Sequence, residues 1–234
     1  MPDSVIRYAK LPLPFDLSLA QEQVRALPSH WKSHLNTNHY EGGWTVLSLR
    51  APGGDPENIA GDAMGKGAYA DTPLLDHTPA LRSLLESLPC PLLSARLLQL
   101  APGSVIKEHR DPELSFEAGE ARLHFPLFTH PHIDFTIDGE RIQMQEGQCW
   151  YINANLPHRV SNPGPSGRIH LVVDCTVNEA LKDLFARSER QYSTTGTIPD
   201  SQAEIIRALR LLNTDTASRL ADEMEQQLEK THHA

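Results

Sequence analysis

The chain of 234 residues has few cysteines: Cys90, Cys149 and Cys175 are odd in number and widely spaced. Such a set builds neither a disulfide framework nor a thiolate metal site, and it suits reduced thiols in a cytoplasmic setting. No apolar run approaches the roughly 18 residues of a membrane span, so no membrane partner is expected. The start, Met1-Pro2-Asp3-Ser4-Val5-Ile6-Arg7, lacks a basic segment followed by an apolar core, and no secretory signal is expected there. An excess of basic residues is missing too. Lys and Arg number 21 against 30 Asp and Glu, and a formal net charge of −9 gives no global attraction to phosphate backbones. Nucleic acid is therefore not an expected partner. The same deficit makes inward-facing arginines informative, because any anionic cosubstrate must be held by locally placed cations. Internal repeats and low-complexity tracts are absent as well.

What is present reads as one soluble globular domain, 39% hydrophobic and 22% charged. Ser18-Leu19-Ala20-Gln21 has the capping-box pattern of a short helix that Pro28 stops. Gly42 to Arg50 reads as a strand. Residues 51–71 carry Gly53, Gly54, Gly61, Gly65 and Gly67 and read as a long loop, either a lid or plain surface. Gly65-Lys66 is not a P-loop, since Gly61 leaves too few intervening residues and Gly67 stands where Ser or Thr must ligate magnesium. Thr78-Pro79 opens a helix with Leu81, Leu84, Leu85 and Leu88 on one stripe. Ser94 to Leu100, Ile133 to Ile137, Arg141 to Gln145 and Gln148 to Asn153 are short strands, with turns at Asp138-Gly139 and Glu146-Gly147. Helices return over 177–187, after Ser201 and along Leu220, Met224 and Leu228. The expected fold is mainly β with flanking helices: a double-stranded β-helix, or cupin-like jelly roll, with helical additions at both ends. Residues 1–176 would form the catalytic unit, with its core at about 94–176. Residues 177–234 would be a helical extension packed on the barrel or in a dimer contact.

His109 and Asp111 stand two residues apart, a spacing that sends both side chains to one side of an extended segment. His158 supplies a distant third group. Two neutral imidazoles and one carboxylate make the facial triad that holds non-haem Fe(II) with open positions. Two flanking strands point the same way. In 122–128, Arg122 and His124 share a face opposed by Leu123, Phe125 and Leu127. In 168–175, Arg168, His170, Val172 and Asp174 oppose Ile169, Leu171, Val173 and Cys175. Charged groups on the inner face of a small barrel need a ligand, an ion or a partner to compensate their desolvation. His130 and His132 flank Pro131 in a loop and read as solvent-facing, Trp150-Tyr151 as core and His232-His233 as a solvated tail.

The run from Pro102-Gly103 to Asp174 resembles the aspartyl/asparaginyl β-hydroxylase family of Fe(II)/2-oxoglutarate oxygenases, which includes free-proline hydroxylases. The matching pieces are His109-Arg110-Asp111, Arg122 to Leu127, Gly147, Trp150-Tyr151, His158, and Arg168 to Asp174. The resemblance implies a dioxygenase that hydroxylates an amino-acid or peptidyl side chain and decarboxylates 2-oxoglutarate to succinate with dioxygen. It also implies His109, Asp111 and His158 as iron ligands and Arg168, ten residues past the last ligand, as the 2-oxoglutarate anchor. The animal peptidyl-aspartate hydroxylases lack the carboxylate that Asp111 supplies. His124 is expected to hydrogen-bond the iron-bound carboxylate of 2-oxoglutarate. Arg122 is expected to meet a carboxylate of an acidic substrate or of 2-oxoglutarate, or else to pair internally with Asp174, Asp134 or Glu120. Two other classes fit the same residues: a cupin metalloenzyme that does not use 2-oxoglutarate, and a non-catalytic barrel that binds a small acidic ligand.

Overall fold

A computed structural model describes residues 5–27, 31–60, 67–111, 114–193 and 222. The chain divides into two units, Ile6–Tyr192 and a second made of Met1–Val5 with Ser193–Ala234. Of the second, only Val5, Ser193 and Asp222 are described; the Ser193 amide donates to the Val5 carbonyl at 3.0 Å, and Asp222 is helical. The helices expected after Ser201 and along 220–228, and the tail histidines, otherwise lie outside the described residues.

The first unit contains β1 (Ile6–Leu11), β2 (Lys32–Ser33), β3 (Tyr40–Glu41), β4 (Trp44–Pro52), β5 (Tyr69–Asp71), β6 (Leu92–Leu100) and β7 (Val105–His109). It continues with β8 (Glu120–Phe128), β9 (Asp134–Ile137), β10 (Glu140–Ile142), β11 (Cys149–Ile152), β12 (His158–Ser161), β13 (Arg168–Thr176) and β14 (Glu189–Tyr192). Its α-helices are α1 (Leu17–Ala26), α2 (Pro79–Ser87) and α3 (Glu179–Ala186). The strands form two antiparallel sheets, one ordered β14-β1-β11-β8-β13-β6-β4-β2 with β5 on β4, the other β10-β9-β12-β7-β3. Strands β6 to β13 divide between β6-β13-β8-β11 and β7-β12-β9-β10, changing sheet at every step except the β9–β10 hairpin. That interleaving is the jelly roll expected from the rhythm of short strands and turns. Residues past 176 add α3 and then β14, an edge strand paired with β1.

Period-two alternation decides what each face of the larger sheet does. Leu123, Phe125 and Leu127 of β8, with Leu171, Val173 and Cys175 of β13, are fully buried against a core that takes Val24 from α1, Leu81 from α2 and Phe185 from α3. Phe185 stacks on Phe116 at 4.2 Å and meets Tyr151 edge-on at 5.0 Å. Burying such a ring contributes about 1.5–3 kcal/mol, and truncating it to Ala would cost about 3–5 kcal/mol. The helices thus cover the greasy face, and the polar face of β8 and β13 is left to line the barrel's interior.

Local signals fared unevenly. Thr78 and Pro79 do open α2. The cap of α1, however, is Asp16, whose carboxylate accepts from the Leu19 amide at 3.0 Å. The Ser18 capping box does not form, and Gln21 instead donates to the Leu127 carbonyl and to Glu146. The stretch 51–71 is not all loop, because β5 pairs with β4; residues 61–66 lie outside the described residues. His132 is exposed as expected, but His130 is half-buried and hydrogen-bonds Asn162 Oδ1 at 3.0 Å.

Candidate metal centre

Strands β7 and β12 pair with His109 directly opposite His158, and the two rings lie 4.2 Å apart. In each ring Nδ1 faces a carbonyl two residues back, Lys107 O at 2.8 Å for His109 and Leu156 O at 3.0 Å for His158. A carbonyl only accepts, so each Nδ1 carries the proton and each Nε2 keeps a lone pair for a metal. Burial, helped by the neighbouring His109, lowers the pKa of His158 to about 4 and keeps that lone pair available at neutral pH. Asp111 lies just past the end of β7, pinned by its amide to the Ala154 carbonyl at 2.8 Å, with Oδ1 3.8 Å from His109 Nε2. One ligand atom from each of His109, Asp111 and His158 lies within 4.8 Å of the others. This donor set fits a divalent first-row ion with positions left open for other ligands.

The triad faces a cavity of about 650 Å³, whose lining also brings in Arg96, Arg122, His124, Arg168 and Asp174. Register explains the gathering: Asp174 of β13 is opposite Arg122 of β8, and Val172 is flanked by His124 and Arg96. Asp174 accepts from Ser94 Oγ at 2.9 Å, Arg96 Nη2 at 2.9 Å, Arg122 Nε at 2.7 Å and Arg122 Nη2 at 3.1 Å. Burial pushes its carboxyl pKa up, but Arg122 and Arg96 outweigh burial and hold it below the usual carboxylate range. Arg122 also donates through Nη1 to Asp111 Oδ2. At Asp111 burial likewise raises the pKa, and Arg122 followed by His158 reverses the shift. Two arginines and two carboxylates therefore compensate one another inside the chain.

For Arg122, the placement shows the internal pairing with Asp174 that was expected as the alternative to a substrate carboxylate. The case for a substrate carboxylate supposed an inward arginine without a partner, and Asp174 and Asp111 already fill that role. Its position suits holding the outer oxygen of Asp111 while Oδ1 faces His109.

Arg168 is different. It is 3% exposed, and among the described residues no carboxylate reaches it. The one hydrogen bond of its side chain there runs from Nη2 to His170 Nδ1 at 2.8 Å, and Nε has no partner. Burial alone pulls its pKa down to about 9, so it remains a cation at neutral pH, uncompensated in a cavity wall. His124 is also buried, with neither ring nitrogen partnered among the described residues, and burial followed by the nearby Arg168 and Arg122 keeps it neutral. Orphaned donors of this kind are costly unless a ligand satisfies them. Nearer the mouth, His34 stacks on Trp44 at 3.5 Å and 10°, giving the cavity an aromatic wall.

Residues 17–177 match the model of the aspartyl/asparaginyl beta-hydroxylase family. The chain belongs to this family. It is also similar to L-proline cis-4-hydroxylase of Rhizobium meliloti (strain 1021), 28% identical over 166 residues. That alignment covers 70% of this chain and 58% of the hydroxylase, so the chain spans little more than half of its relative's length. Among solved structures, a 2OG-Fe(II) oxygenase family oxidoreductase from Burkholderia pseudomallei is 14% identical with a TM-score of 0.49, covering 70% of this chain and 81% of that one. A Pseudomonas putida prolyl-4-hydroxylase is 14% identical with a TM-score of 0.44, covering 74% and 94%.

Arg96 was missed by sequence reasoning. Its signal was a lone charge in the otherwise apolar centre of Leu92-Leu93-Ser94-Ala95-Arg96-Leu97-Leu98, which asks for a buried counter-ion.

Proposed function

We propose that this chain is an Fe(II)/2-oxoglutarate-dependent hydroxylase acting on a free amino acid or a short peptide. One observation carries the reading: two histidine Nε2 lone pairs and the Asp111 carboxylate converge on a cavity whose wall holds a buried, uncompensated arginine. A dianionic cosubstrate that chelates a metal at one end and has a carboxylate at the other matches both features. Family membership and the likeness to a proline hydroxylase support the same chemistry, and that relative suggests a small amino-acid substrate. A cupin with no need for 2-oxoglutarate would have no use for Arg168.

In this reading His109, Asp111 and His158 hold Fe(II), and Arg168 meets the distal carboxylate of 2-oxoglutarate by a bidentate, charge-assisted pair. His124, neutral and unpartnered, donates one N–H to an oxygen of the same cosubstrate. Arg122 fixes Asp111, so the ligand does not have to be ordered when the ion arrives. The bound iron and cosubstrate supply the oxidising power for C–H hydroxylation, and the protein contributes orientation and exclusion of water. A cytoplasmic setting accords with three buried cysteines, all free. Among the described residues no helix is long and apolar enough to cross a membrane.

The test is anaerobic reconstitution with Fe(II) and 2-oxoglutarate, then admission of air with proline, other free amino acids and short peptides. Succinate and a product one oxygen heavier are expected together. A protein that binds iron yet neither binds nor consumes 2-oxoglutarate would refute the proposal.

A further inference from the structure

His170 takes no part in the chemistry described so far, yet it makes the single hydrogen bond that the Arg168 side chain has among the described residues. It sits two residues further along β13, on the same face, and is 1% exposed. A guanidinium has only donors, so the 2.8 Å contact to Arg168 Nη2 requires a lone pair on His170 Nδ1. The proton of the neutral ring is then on Nε2, which has no partner among the described residues.

We infer that His170 is a positioning residue for the cosubstrate anchor: as the Nε2–H tautomer it accepts from Arg168 through Nδ1 and fixes which edge of the guanidinium faces the cavity. This rests on the reading of Arg168 as the 2-oxoglutarate anchor. Two facts beyond the contact itself support it. With no counter-carboxylate among the described residues, the Arg168 guanidinium otherwise meets only the face of Phe135, 5.8 Å from the ring centroid, which is a non-directional contact that leaves its rotation about its own axis to be set by His170. The ring also stays neutral, because burial and then the neighbouring Arg168 cation act against its protonation. An imidazolium there would turn the only acceptor into a donor and set two like charges in contact. Pre-ordering the fork before the ligand arrives removes an entropic cost from binding, so the residue acts on affinity through Arg168 without touching the cosubstrate.

Two measurements test this. The first needs no variant: long-range 1H–15N correlation spectra of the full chain should show His170 neutral at pH 7 with its proton on Nε2. A proton on Nδ1, or an imidazolium, overturns the inference. The second is calorimetric titration of 2-oxoglutarate into Mn(II)-loaded protein without oxygen. Losing an acceptor from a charged donor weakens binding by about 10- to 100-fold, so His170→Leu should bind that much more weakly. His170→Asn should recover most of the affinity, because its amide oxygen sits where Nδ1 was, and in turnover the loss should fall on the KM for 2-oxoglutarate more than on kcat. If His170→Leu binds within twofold of wild type while Arg168→Ala binds poorly, the inference about His170 fails and the anchor reading stands. If Arg168→Ala itself binds normally, both fall.

Discussion

Asp174→Asn is the sharpest perturbation of the cavity's ion network. The carboxylate is almost wholly buried, its side chain 5% exposed, and it takes four hydrogen bonds from Ser94, Arg96 and Arg122. Asparagine keeps the shape but removes the charge, and its NH2 must face guanidinium donors. Arg96, with its side chain 6% exposed, is then a buried cation with no carboxylate among the described residues, and Arg122 keeps Asp111 alone. Breaking a buried ion pair by removing one partner costs about 3–5 kcal/mol. At roughly 2–4 °C per kcal/mol for a domain of this size, the melting temperature of the metal-free protein should fall by about 6–20 °C. Iron affinity should fall too, by about 10- to 100-fold, because Arg122 can now turn wholly onto Asp111 and compete with the ion. Thermal denaturation with and without Fe(II) measures both. A second substitution, Arg96→Met, should restore part of the stability of Asp174→Asn, since the double variant buries no unpaired cation at that position. A melting temperature within about 2 °C of wild type for Asp174→Asn, or strict additivity in the double-variant cycle, would refute the reasoning.

Three further outcomes are expected. His158→Ala removes one of two imidazole ligands and should abolish stoichiometric iron binding and succinate formation; tight iron binding by that variant would dismiss the triad. Arg168→Ala should leave iron affinity nearly intact while weakening 2-oxoglutarate binding by about 30-fold or more, read as a shifted dissociation constant. The third concerns acid. Burial keeps His124, His158 and His170 neutral in the fold, their pKa values below that of an unfolded histidine. Below about pH 6.5 the unfolded chain takes up protons that the fold refuses, so stability is complete above that pH and falls as the pH drops. Each histidine contributes up to about 1.4 kcal/mol per pH unit, or roughly 3–4 kcal/mol for the three between pH 6 and 5. Denaturant melts of metal-free protein at pH 7, 6 and 5 measure the loss, and a change under about 1 kcal/mol from pH 7 to 5 would contradict it.

The sequence by itself determined what depends on local period and residue type. Alternation along 122–128 and 168–175 sorted apolar from polar faces, and in the fold one face does meet the helices and the other the cavity, because a strand cannot turn one side chain without turning its neighbours. The spacing of His109 and Asp111, with a distant His158, was enough to suggest a metal site, since ligand chemistry restricts the residue types. Tertiary structure alone decided who pairs with whom. That Arg122 is taken by Asp174 and Asp111 depends on the register of β8 against β13 and on the path of the chain beyond β7, and neither leaves a local trace. Arg96 looked like one charge in a greasy strand until β13 brought Asp174 beside it. The cap of α1 went to Asp16 over Ser18 for a similar reason, as Gln21 of the expected box was drawn to the Leu127 carbonyl in β8. Arg168 is a cation without a counter-charge because its three-dimensional neighbours among the described residues hold none, and a chain read in one dimension cannot express that relation.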